Sequence, residues 1–282
     1  MSPSSSGRRV VVGVRGDETG PLDFAAGLAA GFGTGLRVVH ACQVPYPYGY
    51  GPHTAADLPE NLVAPGRRVV AAAQEHLDTS LAVTDVEYDL VVGFPPAVLG
   101  AESTGAKAVV VGTDDAGWLD RVTGEAVTNF LCLHSSSPIV VVPLEISSFA
   151  VDEIVVAVDG RGPERGPMQF AFEIADRLSL PVRVVHVMSH REAIKDIDSA
   201  RLVLAETMAG WAETYPDVSV STVLAEGRDP AEETTDLAGE GSLVVAGRPA
   251  GGPARRWRAP VTHALTRAGV RPVAVVPPRY TV

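Results

Sequence analysis

The chain has few cysteines and few lysines, and each shortage excludes a class of protein. Among its 282 residues only Cys42 and Cys132 are cysteines, and they form no CxxC motif, so no disulfide framework is expected. The only lysines are Lys107 and Lys195, and neither follows a glycine as the lysine of a P-loop does. P-loop nucleotide hydrolysis is therefore excluded.

Long apolar runs and an excess of positive charge are also missing. The valine-rich stretches are short, whereas a membrane helix needs about 20 apolar residues, and no apolar signal segment follows the serine-rich start. The formal net charge of −11 disfavours binding to nucleic acid or to anionic membranes. These absences predict a cytoplasmic protein that binds neither nucleic acid nor membrane.

Common catalytic motifs do not occur in the sequence. It contains no G-x-S-x-G nucleophile elbow and no H-E-x-x-H helix, and only His186 and His190 have a spacing that suits a shared metal ion. The glycine-rich stretch from Gly31 to Gly35 precedes a predicted strand, which is the reverse of a dinucleotide fingerprint, so it is interpreted as a helix stop. We expect no catalytic residue and no bound metal, and therefore no enzyme.

The chain does contain many short runs of β-branched residues separated by helix-forming sequence. Runs such as VVVGV at 10–14 and PIVVVP at 138–143 are continuously apolar, as parallel strands covered on both faces require. The alternation of strands and helices predicts an α/β fold with a doubly wound parallel sheet.

Six segments of the first half of the chain recur in the second half in the same order, one of them identical and five similar in sequence. RVVH occupies residues 37–40 and again 183–186. The other five pairs are VVVGV with IVVAV, FAAGL with FAFEI, GFPPA with GRDPA, VVVG with VVAG, and PIVVVP with PVAVVP. This internal repeat predicts two domains of the same topology, at residues 1–146 and 147–282.

These segments resemble the universal stress protein family in a tandem form, from about residue 8 to residue 277. The most specific motifs are VDG at 158–160, VVHV at 184–187 and the closing PVAVVP. The resemblance implies two flavodoxin-like, Rossmann-like domains, each a five-stranded parallel sheet of order 3-2-1-4-5 with helices on both faces. It also implies that the two domains pair within the chain, and it leaves a homodimer of such chains open.

Many members of this family bind ATP, and the resemblance assigns nucleotide-binding positions residue by residue. Glycines let the backbone approach the phosphates, and N–H groups at the next helix N-terminus bind them. In the second domain the matching residues are Asp159, Gly160, Val187, Gly247, Val261 and Thr262. In the first domain they are Ala41, Gly112 and Val127.

The first domain departs from the family pattern at the positions around the phosphates. Arg15 replaces the aspartate after strand one, Asp115 replaces the second glycine, and Glu125 and Ala126 replace a Gly-Ser pair. A carboxylate beside the phosphates would cost about 1–4 kcal/mol, so we expect this site to reject a triphosphate. Arg15 is predicted to pair with Asp114, Asp115 or Glu125.

The second domain keeps more of the pattern but has an unusual loop. Its Gly-Ser pair has become Ala259 and Pro260, and the proline removes one N–H donor. Arg255, Arg256 and Arg258 precede a predicted helix, where cations are unfavourable unless an anion lies nearby. A solvated loop and an interdomain ion-pair patch are the alternatives to an anion site.

Two other features concern strand two of each domain and the insert that follows it in the first domain. His40 and His186 each end strand two and are interpreted as structural residues, hydrogen-bonded at a strand end. Tyr46, Tyr48 and Tyr50 lie in an insert rich in proline and glycine, which fits either a ligand cover or a surface loop.

We therefore predict a stress-response protein that binds an adenine nucleotide such as ATP in its second domain, without catalysis. An interaction module that binds no nucleotide is the first alternative. A slow nucleotide hydrolase is the second, and the lack of an evident general base or metal-binding carboxylate opposes it.

Overall fold

The computed structural model describes most of the chain. The described residues are 8–16, 18–44, 54–79, 83–113, 120–159, 165–188, 190–248, 264–266 and 269–280, apart from the side chains of 120–126 and 190–196. The chain divides into two compact units, Met1–Phe149 and Ala150–Val282.

The first unit alternates parallel strands with α-helices. Its strands are β1 (Val10–Gly13), β2 (Leu36–Cys42), β3 (Val86–Val92), β4 (Ala108–Gly112) and β5 (Ile139–Val142). Its helices are α1 (Gly20–Phe32), α2 (Glu60–Asp78), α3 (Pro95–Glu102) and α4 (Asp120–His134). The strands lie in the order β3-β2-β1-β4-β5, which is the predicted order 3-2-1-4-5.

The second unit repeats this arrangement. Its strands are β6 (Glu153–Val158), β7 (Val182–Met188), β8 (Val220–Glu226), β9 (Ser242–Gly247) and β10 (Val273–Val276). Its helices are α5 (Arg165–Leu178), α6 (His190–Met208), α7 (Trp211–Thr214) and α8 (Pro230–Leu237). The order β8-β7-β6-β9-β10 is again 3-2-1-4-5 in each unit's own numbering, so the predicted fold class is confirmed.

The apolar runs form the buried centre of each sheet. Val10 and Val12 on β1 are fully buried, as are Val155 and Val156 on β6. Because central parallel strands are covered on both faces, residues pointing in either direction must be apolar, which explains the continuous rather than alternating pattern.

The first helix of each unit packs through a buried phenylalanine. Phe24 on α1 and Phe170 on α5 occupy equivalent positions in the repeat and are almost fully buried. Each also meets an aromatic ring from the chain after the last strand of its unit, with centroid distances of 4.9 Å to Phe149 and 5.5 Å to Tyr280. The helix is thereby fixed to both the sheet and the segment that leaves it.

The same two helices begin where the backbone approaches closely. A Cβ on Gly20 would lie 2.1 Å from the carbonyl oxygen of Ile146, and a Cβ on Gly166 would lie 2.1 Å from that of Pro277. Only glycine fits at such a distance, so the packing of the helix against the segment after the last strand requires glycine at both positions.

The stretch from Gly31 to Gly35 ends α1, as predicted. Gly33 caps the helix in the left-handed region, with φ 63° and ψ 35°, and its N–H group donates to the carbonyl groups of Ala29 and Ala30. A side chain would be strained in this backbone conformation, which is why glycine is common at helix C-termini. Within the described part of the chain, no helix combines the length and apolarity that crossing a membrane requires.

Candidate functional site

The first unit has a cleft at the C-terminal ends of β1, β2 and β4. The cleft encloses about 250 Å³ and is closed on one side by the start of α3 and on another by α4. Ala41, Gly112 and Val127, the three residues that the sequence assigned to this domain's site, all line it. Ligands of doubly wound sheets collect at such strand ends, so this cleft is the candidate site of the first unit.

His40 connects β2 to the segment that follows β1. Its Nδ1 lies 2.9 Å from the carbonyl oxygen of Val14, and in the second unit Nδ1 of His186 lies 2.8 Å from the carbonyl oxygen of Val158. Because a carbonyl can only accept, Nδ1 of each ring carries the proton. The predicted hydrogen bond of each histidine at a strand end is confirmed, and the purely structural role stays a prediction.

This hydrogen bond yields a prediction for the second unit. We expect His186→Ala to lower the free energy of unfolding by about 1–2 kcal/mol, since the bond is lost and the carbonyl of Val158 loses its donor. His186→Asn should lose less, because its side-chain amide carries a donor close to the position of Nδ1. Urea unfolding followed by circular dichroism measures both values, and equal losses in the two variants would contradict the assigned role.

Arg15 forms an ion pair at the rim of the cleft. Its Nη2 and Nε lie 3.0 Å and 3.1 Å from Oε1 of Glu18, and the backbone N–H of Gly16 donates to Oε2 of the same carboxylate. Sequence reasoning missed Glu18, because the loop that brings it back to Arg15 has no distinct sequence signature.

The predicted partners of Arg15 are not covered by the structure. Asp114 and Asp115 lie outside the described residues, as does the side chain of Glu125. Their pairing with Arg15 stays a prediction.

Cys42 lies at the end of β2, two residues after His40, but its surroundings suppress thiol reactivity. The side chain is buried, and the thiol donates to the carbonyl oxygen of Leu62 at 3.7 Å. Burial raises the pKa of the Cys42 thiol above its ordinary value, because the thiolate is poorly solvated there. Cys42 is therefore protonated at neutral pH and is a poor nucleophile.

In the second unit the corresponding strand ends hold three of the predicted residues. Asp159 directly follows β6 and is exposed, while Val187 is on β7 and Gly247 ends β9. On one side of β6 the last paired residues are Val158 and His186 of β7. On the other side the last pair is Ala157 with Ala246 of β9, one residue before Val158. The structure thus brings Asp159, Val187 and Gly247 to adjacent strand ends.

The loop that would complete this second site cannot be compared with the sequence predictions. Outside the described residues lie Gly160, Val261, Thr262, Arg255, Arg256, Arg258, Ala259 and Pro260, and also Tyr46, Tyr48 and Tyr50 of the first unit. Their assigned roles stay predictions. Among the residues that are described, no group of three or more histidine, cysteine or carboxylate side chains could hold a metal ion.

Comparison with known proteins supports the repeat and the fold. The model of the universal stress protein family matches the chain twice, at residues 7–143 and 151–277. A universal stress protein of Mycobacterium tuberculosis is 28% identical over 298 residues, with 98% of this chain and 99% of that protein covered.

A solved structure shows the same fold at lower sequence similarity. A universal stress protein from Archaeoglobus fulgidus superimposes with a TM-score of 0.69 at 14% identity, and the match covers 96% of both chains. A universal stress protein crystallised in complex with cAMP is 23% identical and matches 49% of this chain and 98% of its own, with a TM-score of 0.37. Since the family model covers nearly all of the sequence in two copies, the chain belongs to the universal stress protein family in its tandem, two-domain form.

Proposed function

We propose that the protein is a non-enzymatic stress-response protein that binds one adenine nucleotide, in its second unit. The observation that carries the proposal is the grouping of Asp159, Val187 and Gly247 at adjacent strand ends. These are the residue types that the family pattern places around adenine and ribose. Asp159 is exposed, so its carboxylate is accessible to a ligand from solvent.

The first unit supports the proposal by contrast. At the position equivalent to Asp159 it carries Arg15, whose guanidinium pairs with Glu18. The carboxylate that would accept a hydrogen bond from adenine is therefore replaced by a cation that cannot accept one. Because this cation is already paired with the carboxylate of Glu18, the ion pair offers no net charge to attract the phosphates of ATP.

The test is calorimetric titration of the full chain with ATP, ADP and cAMP. We expect saturable binding of at least one of these nucleotides, with one site per chain and no phosphate release above the blank. Two equivalent sites would contradict the assignment to one unit. An absence of heat with all three would favour an interaction module instead, and phosphate release would favour a hydrolase. The cytoplasmic location, the pairing of the two units and a homodimer stay predictions.

A further inference from the structure

We propose that the cleft of the first unit binds a neutral, mainly apolar small molecule with a polar edge, and not a nucleotide. Residues of the unit's hydrophobic core form part of the lining of the cleft. Val39, Leu99 and Val111 line it and also belong to the buried cluster between the sheet and helices α3 and α4, with exposures of 0%, 5% and 5%. A ligand there would contact side chains that are held rigidly by their own packing.

The size of the cleft limits the ligand. An engineered apolar cavity of about 150 Å³ binds benzene, and pockets for larger ligands begin at about 300 Å³. The cleft, at about 250 Å³, therefore suits a molecule of two or three fused or linked rings. A nucleoside triphosphate would extend well beyond it.

The side of the mouth formed by the start of α3 is apolar in the first unit, whereas the corresponding residues of the second unit are charged. Phe94 lies at the mouth with half of its side chain exposed, and Pro95 and Pro96 follow it. In the repeat, Phe94 and Pro95 correspond to Arg228 and Asp229, which are both exposed. An exposed aromatic side chain beside an apolar cavity gains from being covered, which an apolar ligand would do.

The helix that begins at the cleft has no donors to offer a phosphate. Pro95 and Pro96 have no N–H group, and the N–H groups of Ala97 and Val98 both donate to the carbonyl of Phe94, at 2.9 Å and 3.0 Å. Anion sites at helix N-termini depend on these first N–H groups. The start of α3 is thus a steric wall without the properties of an anion site.

Polar groups around the cleft favour a neutral ligand. The ion pair of Arg15 with Glu18 places a cation and an anion together at the rim, so neither sign of ligand charge is favoured. Gln43 and Thr128 also line the cleft and bring neutral side chains that can donate or accept. A ring body with one or two polar edge atoms satisfies these surroundings.

The test uses N-phenyl-1-naphthylamine, a neutral aromatic dye whose fluorescence rises in apolar sites. We expect saturable enhancement with one site per chain, unaffected by excess ATP. Ala41→Phe should fill the cleft and reduce the affinity at least tenfold, while the equivalent Val187→Phe in the second unit should leave it within twofold. Circular dichroism establishes that both variants are folded.

A second pair of variants leaves the core unchanged. Phe94→Ala removes the exposed ring at the mouth and should weaken dye binding about fivefold. Phe130→Ala is the matched control, because Phe130 is also exposed but does not line the cleft. Non-saturable enhancement, displacement of the dye by ATP, or equal effects of the two variants would overturn the proposal. None of these results depends on whether the second unit binds nucleotide.

Discussion

Replacing Gly166 with alanine is expected to lower the free energy of unfolding by about 3 kcal/mol, at the upper end of what overpacking costs. The new Cβ would lie 2.1 Å from the carbonyl oxygen of Pro277, and 3.0 Å and 3.1 Å from two further backbone carbons. Because backbone atoms cannot rotate away as a side chain can, either α5 or the segment after β10 must shift. Chemical denaturation followed by circular dichroism measures the loss.

Gly239→Ala is the matched control in the same unit. A Cβ on Gly239 would meet only Oγ of Ser242, at 3.5 Å, which is an ordinary contact. Its effect should stay within about 0.5 kcal/mol. Gly20→Ala should reproduce the large loss in the first unit, since its Cβ would lie equally close to the carbonyl oxygen of Ile146. Similar small effects at all three glycines would show that the close approach does not constrain the fold.

Asp159→Ala is expected to weaken nucleotide binding at least about tenfold. A hydrogen bond to a charged group contributes about 1.5–3 kcal/mol, and about 1.4 kcal/mol corresponds to a tenfold change in affinity. Asp159 is exposed and follows the last residue of β6, so its removal should leave the folded unit intact. Calorimetry of the variant with the nucleotide that binds the wild type gives the ratio of dissociation constants.

Arg15→Ala provides the comparison in the first unit, where Arg15 holds the position equivalent to Asp159. It breaks an ion pair at the rim of the cleft but should leave nucleotide affinity within twofold. A loss of affinity in Arg15→Ala together with normal binding by Asp159→Ala would move the nucleotide site to the first unit.

The strands could be predicted because the relevant signals are local, whereas their order 3-2-1-4-5 followed from the resemblance to the universal stress protein family. Five-residue apolar runs such as VVVGV mark buried strands wherever they occur, and the repeat of RVVH with its neighbours aligned two copies of one topology. The helix stop at Gly33 was predicted for the same reason, since the left-handed cap depends on a single residue type.

Other features depend on contacts between distant segments and could not be predicted. Gly20 touches the backbone of Ile146, more than a hundred residues away, and no sequence pattern links the two. The pairing of Arg15 with Glu18 depends on the path of a loop. The apolar cleft depends on Leu99 of α3 meeting Val39 of β2. The sequence places the cleft at the strand ends but does not reveal its volume or its lining.

The central claim is that the nucleotide binds in the second unit and not in the first. The most direct measurement is photo-labelling of the full chain with 8-azido-ATP, followed by mass spectrometry of the labelled peptides. The account predicts labelled peptides from residues 150–282 that disappear when unlabelled ATP is added in excess. Competable label confined to residues 1–149, or distributed equally between the two units, would contradict it.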